Sequence, residues 1–262
     1  MRAAGVRRGP RHQRRRDQRR RRAGPALSTP LDWEDLINAR DLGGLRAPGG
    51  CRVRPGALIR SESLARLTEA GRAAMLAHGV TTIVDLRMAS ELAERPNPLR
   101  SHPGFRNLPL IERVPENPMP EFDSAEASYL DMLATFGARV SAIVRGVADA
   151  APGGVLVHCA AGKDRTGVVI ALLLSVAGVD RSDIAEDYGM SRAWDDRMVE
   201  EWLLAQPAAD HERLRQMYLT RTETILATLA ALDERYGGVT GYLAAIGVED
   251  RVLDRVRRRL LA

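Results

Sequence analysis

The apolar positions along the chain change period several times, and each change marks a predicted element. Val80-Thr81-Thr82-Ile83-Val84-Asp85-Leu86 is β-branched and almost continuously apolar. That suits a strand buried on both faces, as in a parallel sheet. Val155-Leu156-Val157 predicts a second buried strand, and Phe105 to Leu110 a third. Cys51-Arg52-Val53 and Ala57-Leu58-Ile59-Arg60 read as short strands around Pro55-Gly56. Helical spacing takes over elsewhere. Thr68 caps a helix running to about His78, with Leu67, Gly71, Met75 and Leu76 near one face, and Gly79 ends it. After the Pro-rich stretch 115–120, a helical pattern runs from about Glu126 to Ala148. Val168–Ala177 is apolar all round, as a central buried helix is, and Gly178 stops it. Asp180 caps the next helix, and Asp210 caps a longer one reaching about Arg235. Tyr236-Gly237-Gly238 breaks the chain before two short C-terminal helices. Strands alternating with helices predict an α/β layer architecture.

Charge alters this picture at one end only. The net charge is +5, yet residues 1–22 hold eleven arginines and one aspartate, a local +10; subtracting that leaves −5 for the remainder. The predicted organisation is a disordered Arg-rich tail over 1–25 and a single domain over 26–262. A basic nucleic-acid-binding body is not indicated. The tail is read as bland, with an RNA or membrane-surface tether as the alternative. Two cysteines, Cys51 and Cys159, are too few for a disulfide scaffold, and a reducing cytoplasm fits best. The longest apolar run, Val168–Ala177, is too short to span a bilayer. His78, His102 and His211 lack ligand spacing, so no metal site is expected. Of 39 basic residues only Lys163 is lysine. A lysine kept against so strong a bias suggests a position where arginine does not serve.

Lys163 lies in the segment that carries the chemistry, His158-Cys159-Ala160-Ala161-Gly162-Lys163-Asp164-Arg165-Thr166-Gly167. Cys159 and Arg165 stand in Cys-x5-Arg spacing, a weak signal alone. A buried strand before it and an apolar helix after it make the signal strong. A strand–loop–helix unit aims backbone N–H groups and a positive helix end at one point, which is an anion site. Gly162 relieves crowding where the loop turns back. The field that binds phosphate also stabilises a thiolate, which can attack phosphorus and form a cysteinyl-phosphate. In this reading the backbone of Ala160, Ala161, Gly162 and Lys163 surrounds the phosphoryl group. Arg165 offers paired N–H bonds to its equatorial oxygens. The Thr166 hydroxyl helps the sulfur leave, Lys163 adds positive charge, and His158 orients the loop through backbone hydrogen bonds.

This segment resembles the signature of bacterial tyrosine-protein phosphatases related to dual-specificity and phosphoinositide phosphatases. Asn38-Ala39-Arg40-Asp41-Leu42-Gly43-Gly44, Arg60-Ser61, Val84-Asp85-Leu86-Arg87 and Tyr236-Gly237-Gly238-Val239-Thr240-Gly241-Tyr242-Leu243 extend the resemblance over roughly residues 30–262. It implies a phosphatase fold with a mainly parallel sheet flanked by helices and extra C-terminal helices. It also implies cofactor-free, metal-free hydrolysis of phosphotyrosine proteins, with phosphoserine, phosphothreonine or phosphoinositides accepted by some members.

The proton donor for the leaving group is less direct, because no Trp-Pro-Asp occurs in the chain. The resemblance implies an acid within the loop, at Asp164. Asp123 is the alternative, with Asp131 behind it, and Trp194-Asp195 reads as structural. Asp85 and Arg87, at the end of a buried strand, either line the pocket or pair with each other; Arg40 and Asp41 carry the same ambiguity. A catalytically silent phosphate-binding module is the competing reading of the whole chain.

Overall fold

Val80–Asp85 and Gly154–His158 lie side by side at the heart of the sheet, as their apolar runs predict. The structure is a computed structural model that describes residues 28–112, 122–192, 203–204, 207–208, 211–212, 214 and 219–261. The expectations for the tail 1–25, the Pro-rich stretch 115–120, Trp194-Asp195 and the Asp210 cap lie outside the described residues.

The strands are β1 (Thr29–Pro30), β2 (Arg40–Asp41), β3 (Leu58–Ser61), β4 (Val80–Asp85), β5 (Phe105–Asn107) and β6 (Gly154–His158), in the sheet order β1-β2-β3-β6-β4-β5. β3, β6, β4 and β5 are mutually parallel, and β1 and β2 extend the β3 edge antiparallel. The helices among the described residues are α1 (Glu69–Ala77), α2 (Ala89–Glu94), α3 (Ala125–Thr135), α4 (Gly137–Ala148), α5 (Asp164–Val176), α6 (Arg181–Gly189), α7 (Thr222–Tyr236), α8 (Val239–Ala245) and α9 (Asp250–Leu260). The predicted α/β class with a mainly parallel sheet is the observed one.

Period-two alternation sorts the strand side chains onto two cores. Leu58, Val84, Val155 and Val157 face a large cluster built from α3, α4, α5 and the C-terminal helices. Ile59, Ile83, Val80 and Leu156 face a smaller one with Trp33, Leu64, Leu67, Met75 and Leu99. Helix α5 runs through the large core, buried from Thr166 to Leu174, which is why its sequence is apolar all round.

Four boundaries differ from the sequence expectation. Cys51–Val53 is no strand. Around Pro48-Gly49-Gly50 only isolated bridges form, Arg46 with Arg52 and Val53 with Leu261. The strand expected over Phe105–Leu110 stops at Asn107, where its partner β4 ends at Asp85. The helix expected over Glu126–Ala148 is two helices, broken at Phe136 (φ −109°, ψ 30°). The second helix opens on Gly137, where a Cβ would lie 2.7 Å from the Ile246 side chain. Helix α5 starts at Asp164, four residues before its apolar run, which puts Asp164, Arg165 and Thr166 in its first turn.

Candidate active site

Three parallel strands end level with one another. Ser61 of β3 and Asp85 of β4 both pair with His158 of β6. Beyond this edge the chain turns through Cys159-Ala160-Ala161-Gly162-Lys163 and enters α5. Cys159 is buried, at 2% exposure, and so is Lys163. Gly162 has φ 70°, and a Cβ there would sit 2.3 Å from the Ser61 carbonyl oxygen. Both features demand glycine. Gly162→Ala is therefore expected to destabilise the protein by roughly 1–3 kcal/mol. Thermal unfolding checks this; an unchanged melting temperature would show that Ser61 gives way.

The loop carbonyls are held by partners outside it. His158 Nδ1 lies 3.1 Å from the Cys159 oxygen. Ser63 N–H donates to Ala160 O at 2.8 Å, Asn38 Nδ2 to Ala161 O at 2.9 Å, and Arg60 Nη2 to Gly162 O at 2.7 Å. In a planar trans peptide the next N–H points opposite to the carbonyl. Each anchored carbonyl therefore leaves the following N–H group, of Ala160, Ala161, Gly162 and Lys163 in turn, facing away from its donor, as an anion nest requires.

The first turn of α5 supplies charged and hydroxylic groups. Arg165 donates to both oxygens of Glu91, at 2.6 and 2.8 Å, in a forked pair. Burial alone would lower the Arg165 pKa, but hydrogen bonding to Glu91 and the charges of Cys159, Glu91 and Asp164 raise it, so its positive charge is secure. Burial works the other way on Glu91, and the Arg165 contacts hold that carboxyl below its ordinary value. The Tyr129 hydroxyl donates to Asp164 Oδ1 at 2.5 Å and lies 2.7 Å from the Tyr188 hydroxyl. Thr166 Oγ1 is buried and has no hydrogen-bond partner among the described residues.

Beneath the loop, Asp85 and Arg87 pair with each other. Arg87 Nη2 and Nε reach the Asp85 carboxylate at 2.7 and 3.0 Å, and Nη1 donates to Arg95 O. Asn97 Oδ1 accepts from Leu99 N–H, which fixes its amide orientation, so Nδ2 donates to both Asp85 Oδ2 and His158 Nε2. His158 is then a neutral imidazole whose Nδ1–H donates to Cys159 O. Burial lowers its pKa, opposed by the Asp85 charge.

Arg40 and Arg60 meet on one fully buried carboxylate. Arg40 Nε donates to Asp187 Oδ1 at 2.7 Å and Arg60 Nη1 to Oδ2 at 2.6 Å. Burial and the neighbouring Arg60 charge push Arg40 down to about 10. Asp41 instead accepts from Gly43 and Gly56 N–H and faces His78. Among the acid alternatives, Asp123 is exposed just before α3, and Asp131 accepts from Thr135 on that helix. Glu91, Asn97, Tyr129, Asp187, Tyr188 and the Ser63 N–H are the residues of the candidate site that sequence reasoning missed.

A sequence model of the tyrosine phosphatase family matches residues 31–262. The chain belongs to that family. It is 34% identical to a tyrosine-protein phosphatase of Nostoc commune, over 75% of this chain and 71% of that one. It is 31% identical to the triple specificity protein phosphatase PtpB of Mycobacterium tuberculosis, over 76% and 88%. The crystal structure of Pseudomonas aeruginosa TpbA is 20% identical and covers 73% of this chain and 96% of that one; its TM-score of 0.36 is too low to carry an argument. The relatives bear enzyme names, so this tyrosine phosphatase is an enzyme and the silent-module reading gains no support from them. No helix among the described residues is long and apolar enough to cross a membrane, and no group of three or more His, Cys, Asp or Glu there could hold a metal.

Proposed function

We propose that this phosphatase hydrolyses phosphotyrosine in proteins through a cysteinyl-phosphate on Cys159, within one catalytic domain spanning about residues 26–262. The observation that supports the reading is the set of four anchored carbonyls at residues 159–162, which frees the N–H groups of residues 160–163 from their donors' side. In the first step the Cys159 thiolate forms an S–P bond as the P–O bond to the leaving group breaks. Asp164 passes its proton to the departing oxygen. Charge on the equatorial oxygens is met by the nest and by Arg165, whose guanidinium plane Glu91 fixes. In the second step water attacks phosphorus, Asp164 takes its proton, and the thiolate departs with the Thr166 hydroxyl available to it. Asp85, Arg87 and Asn97 act one layer further out by holding His158, which holds the loop.

A broader range, extending to phosphoserine, phosphothreonine or phosphoinositides, is supported by the likeness to a relative named for triple specificity. A cytoplasmic location is supported by the two free cysteines. The test is turnover of p-nitrophenyl phosphate in EDTA, followed by rates on phosphotyrosine peptide, phosphoserine peptide and phosphoinositide. Turnover lost in EDTA, or phosphopeptide binding without hydrolysis, overturns the reading. Asp164→Asn is expected to slow an alkyl phosphate about 100-fold and p-nitrophenyl phosphate much less, because the better leaving group needs less protonation. Equal slowing of both would move the acid elsewhere, with Asp123 next in line.

A further inference from the structure

Two tyrosines stand behind the proposed acid. Tyr129 on α3 and Tyr188 on α6 are each 2% exposed, and their rings meet edge to face with centroids 6.4 Å apart. The Tyr129 hydroxyl has one proton. Because it is given to Asp164 Oδ1, the 2.7 Å contact between the hydroxyls has Tyr188 as donor. The result is a directed chain, Tyr188 to Tyr129 to Asp164. It is built into the packing: a Cβ on Gly167 would fall 2.8 Å from the Tyr188 ring, so a glycine one turn along α5 lets that ring lie against the helix.

We infer that Tyr129, backed by Tyr188, is a positioning residue that primes Asp164 to give up its proton. The inference rests on the proposed role of Asp164. Occupation of Oδ1 by Tyr129 fixes the carboxyl rotamer and leaves Oδ2 to carry the proton. As that proton moves to the leaving oxygen, negative charge grows on the carboxylate. A hydrogen bond to an ionised acceptor is stronger than one to a neutral acceptor. The Tyr129 bond therefore tightens between ground state and transition state, which is the condition for accelerating the step. Donation from Tyr188 polarises the Tyr129 O–H in the same sense. Burial, followed by the Asp164 charge, holds the Tyr129 hydroxyl well above its ordinary pKa, so it stays a donor throughout the working range.

The test compares Tyr129→Phe, Asp164→Asn and the double variant on an alkyl phosphate and on p-nitrophenyl phosphate. Tyr129→Phe is expected to lower kcat for the alkyl ester about tenfold and for the aryl ester less than about twofold. In the Asp164→Asn background the tyrosine substitution costs nothing further. Equal losses on both esters, or a loss that persists in the double variant, would mean that Tyr129 only supports the fold and would overturn the inference. An unchanged alkyl-to-aryl ratio in Asp164→Asn alone would instead bring down the acid assignment, and the inference with it. Where Tyr129→Phe melts too early to assay, Tyr188→Phe keeps the direct bond and should shift the same ratio in the same direction by about threefold. No shift there, with the fold intact, would likewise overturn it.

Discussion

Replacing Cys159 by serine is expected to reduce turnover of p-nitrophenyl phosphate by at least about 10⁴-fold while leaving the fold intact. The substitution is nearly isosteric, and the side chain is buried among groups that hold the loop from outside, so nothing in the packing must move. What changes is the nucleophile. A field that stabilises a soft, weakly basic thiolate is far from sufficient to ionise an alcohol. The nest itself survives, so phosphate should still raise the melting temperature of the serine variant, as ligand linkage requires. Steady-state turnover and thermal shift together check the prediction. A serine variant retaining a tenth of wild-type activity would assign the chemistry to another group.

Asp187→Ala is expected to cost about 3–5 kcal/mol of stability, because it leaves two buried guanidinium groups facing one another without a counter-charge. Arg40 and Arg60 both end on that carboxylate, and Ser28 donates to it as well. For a chain of this size the loss should appear as a fall in melting temperature of roughly 10 °C. Activity should fall too in the fraction that remains folded, since Arg60 also holds the Gly162 carbonyl. The pH dependence has a definite sign. Burial alone would raise the Asp187 pKa, but the charges of Arg40 and Arg60 hold it below the ordinary carboxylate value. The stability it contributes is therefore fully present above the unfolded-state value of about 4 and is lost as pH falls through the lower folded-state value. The stability gap between wild type and variant, from denaturant titration, should be constant from pH 7 to 5 and narrow only in stronger acid. A gap that closes already near pH 6 would point to a histidine instead.

The two central strands and the reactive loop were legible because their signals are local. Val80–Asp85 and Val155–Val157 announce burial by composition, and Cys159 to Arg165 announces itself by spacing between a strand and a helix. The supporting residues are another matter. Glu91 sits on a six-residue helix whose pattern is too short to detect, and nothing in its neighbourhood foretells an arginine 74 residues away. Asp187 and Tyr188 look like the polar and apolar faces of an ordinary helix, yet both are buried against the loop's supports. Asp85 with Arg87 and Arg40 with Asp187 show why spacing left these residues open: the first pair closes over two positions and the second over 147. Helix α5 begins four residues ahead of its apolar pattern because its first turn is polar and faces the candidate site, not the core.

The anchored carbonyls also say when in folding the enzyme becomes an enzyme. Strand, loop and first turn are contiguous, and could form early as a local unit. Two of the donors that orient the loop, Asn38 and Arg60, come from 123 and 102 residues upstream. Until the N-terminal segment and β3 dock against β6, the peptide groups have no reason to face one way. A partly folded chain would hold Cys159 without its oriented loop, and on the proposed mechanism hydrolysis itself is a readout of completed assembly.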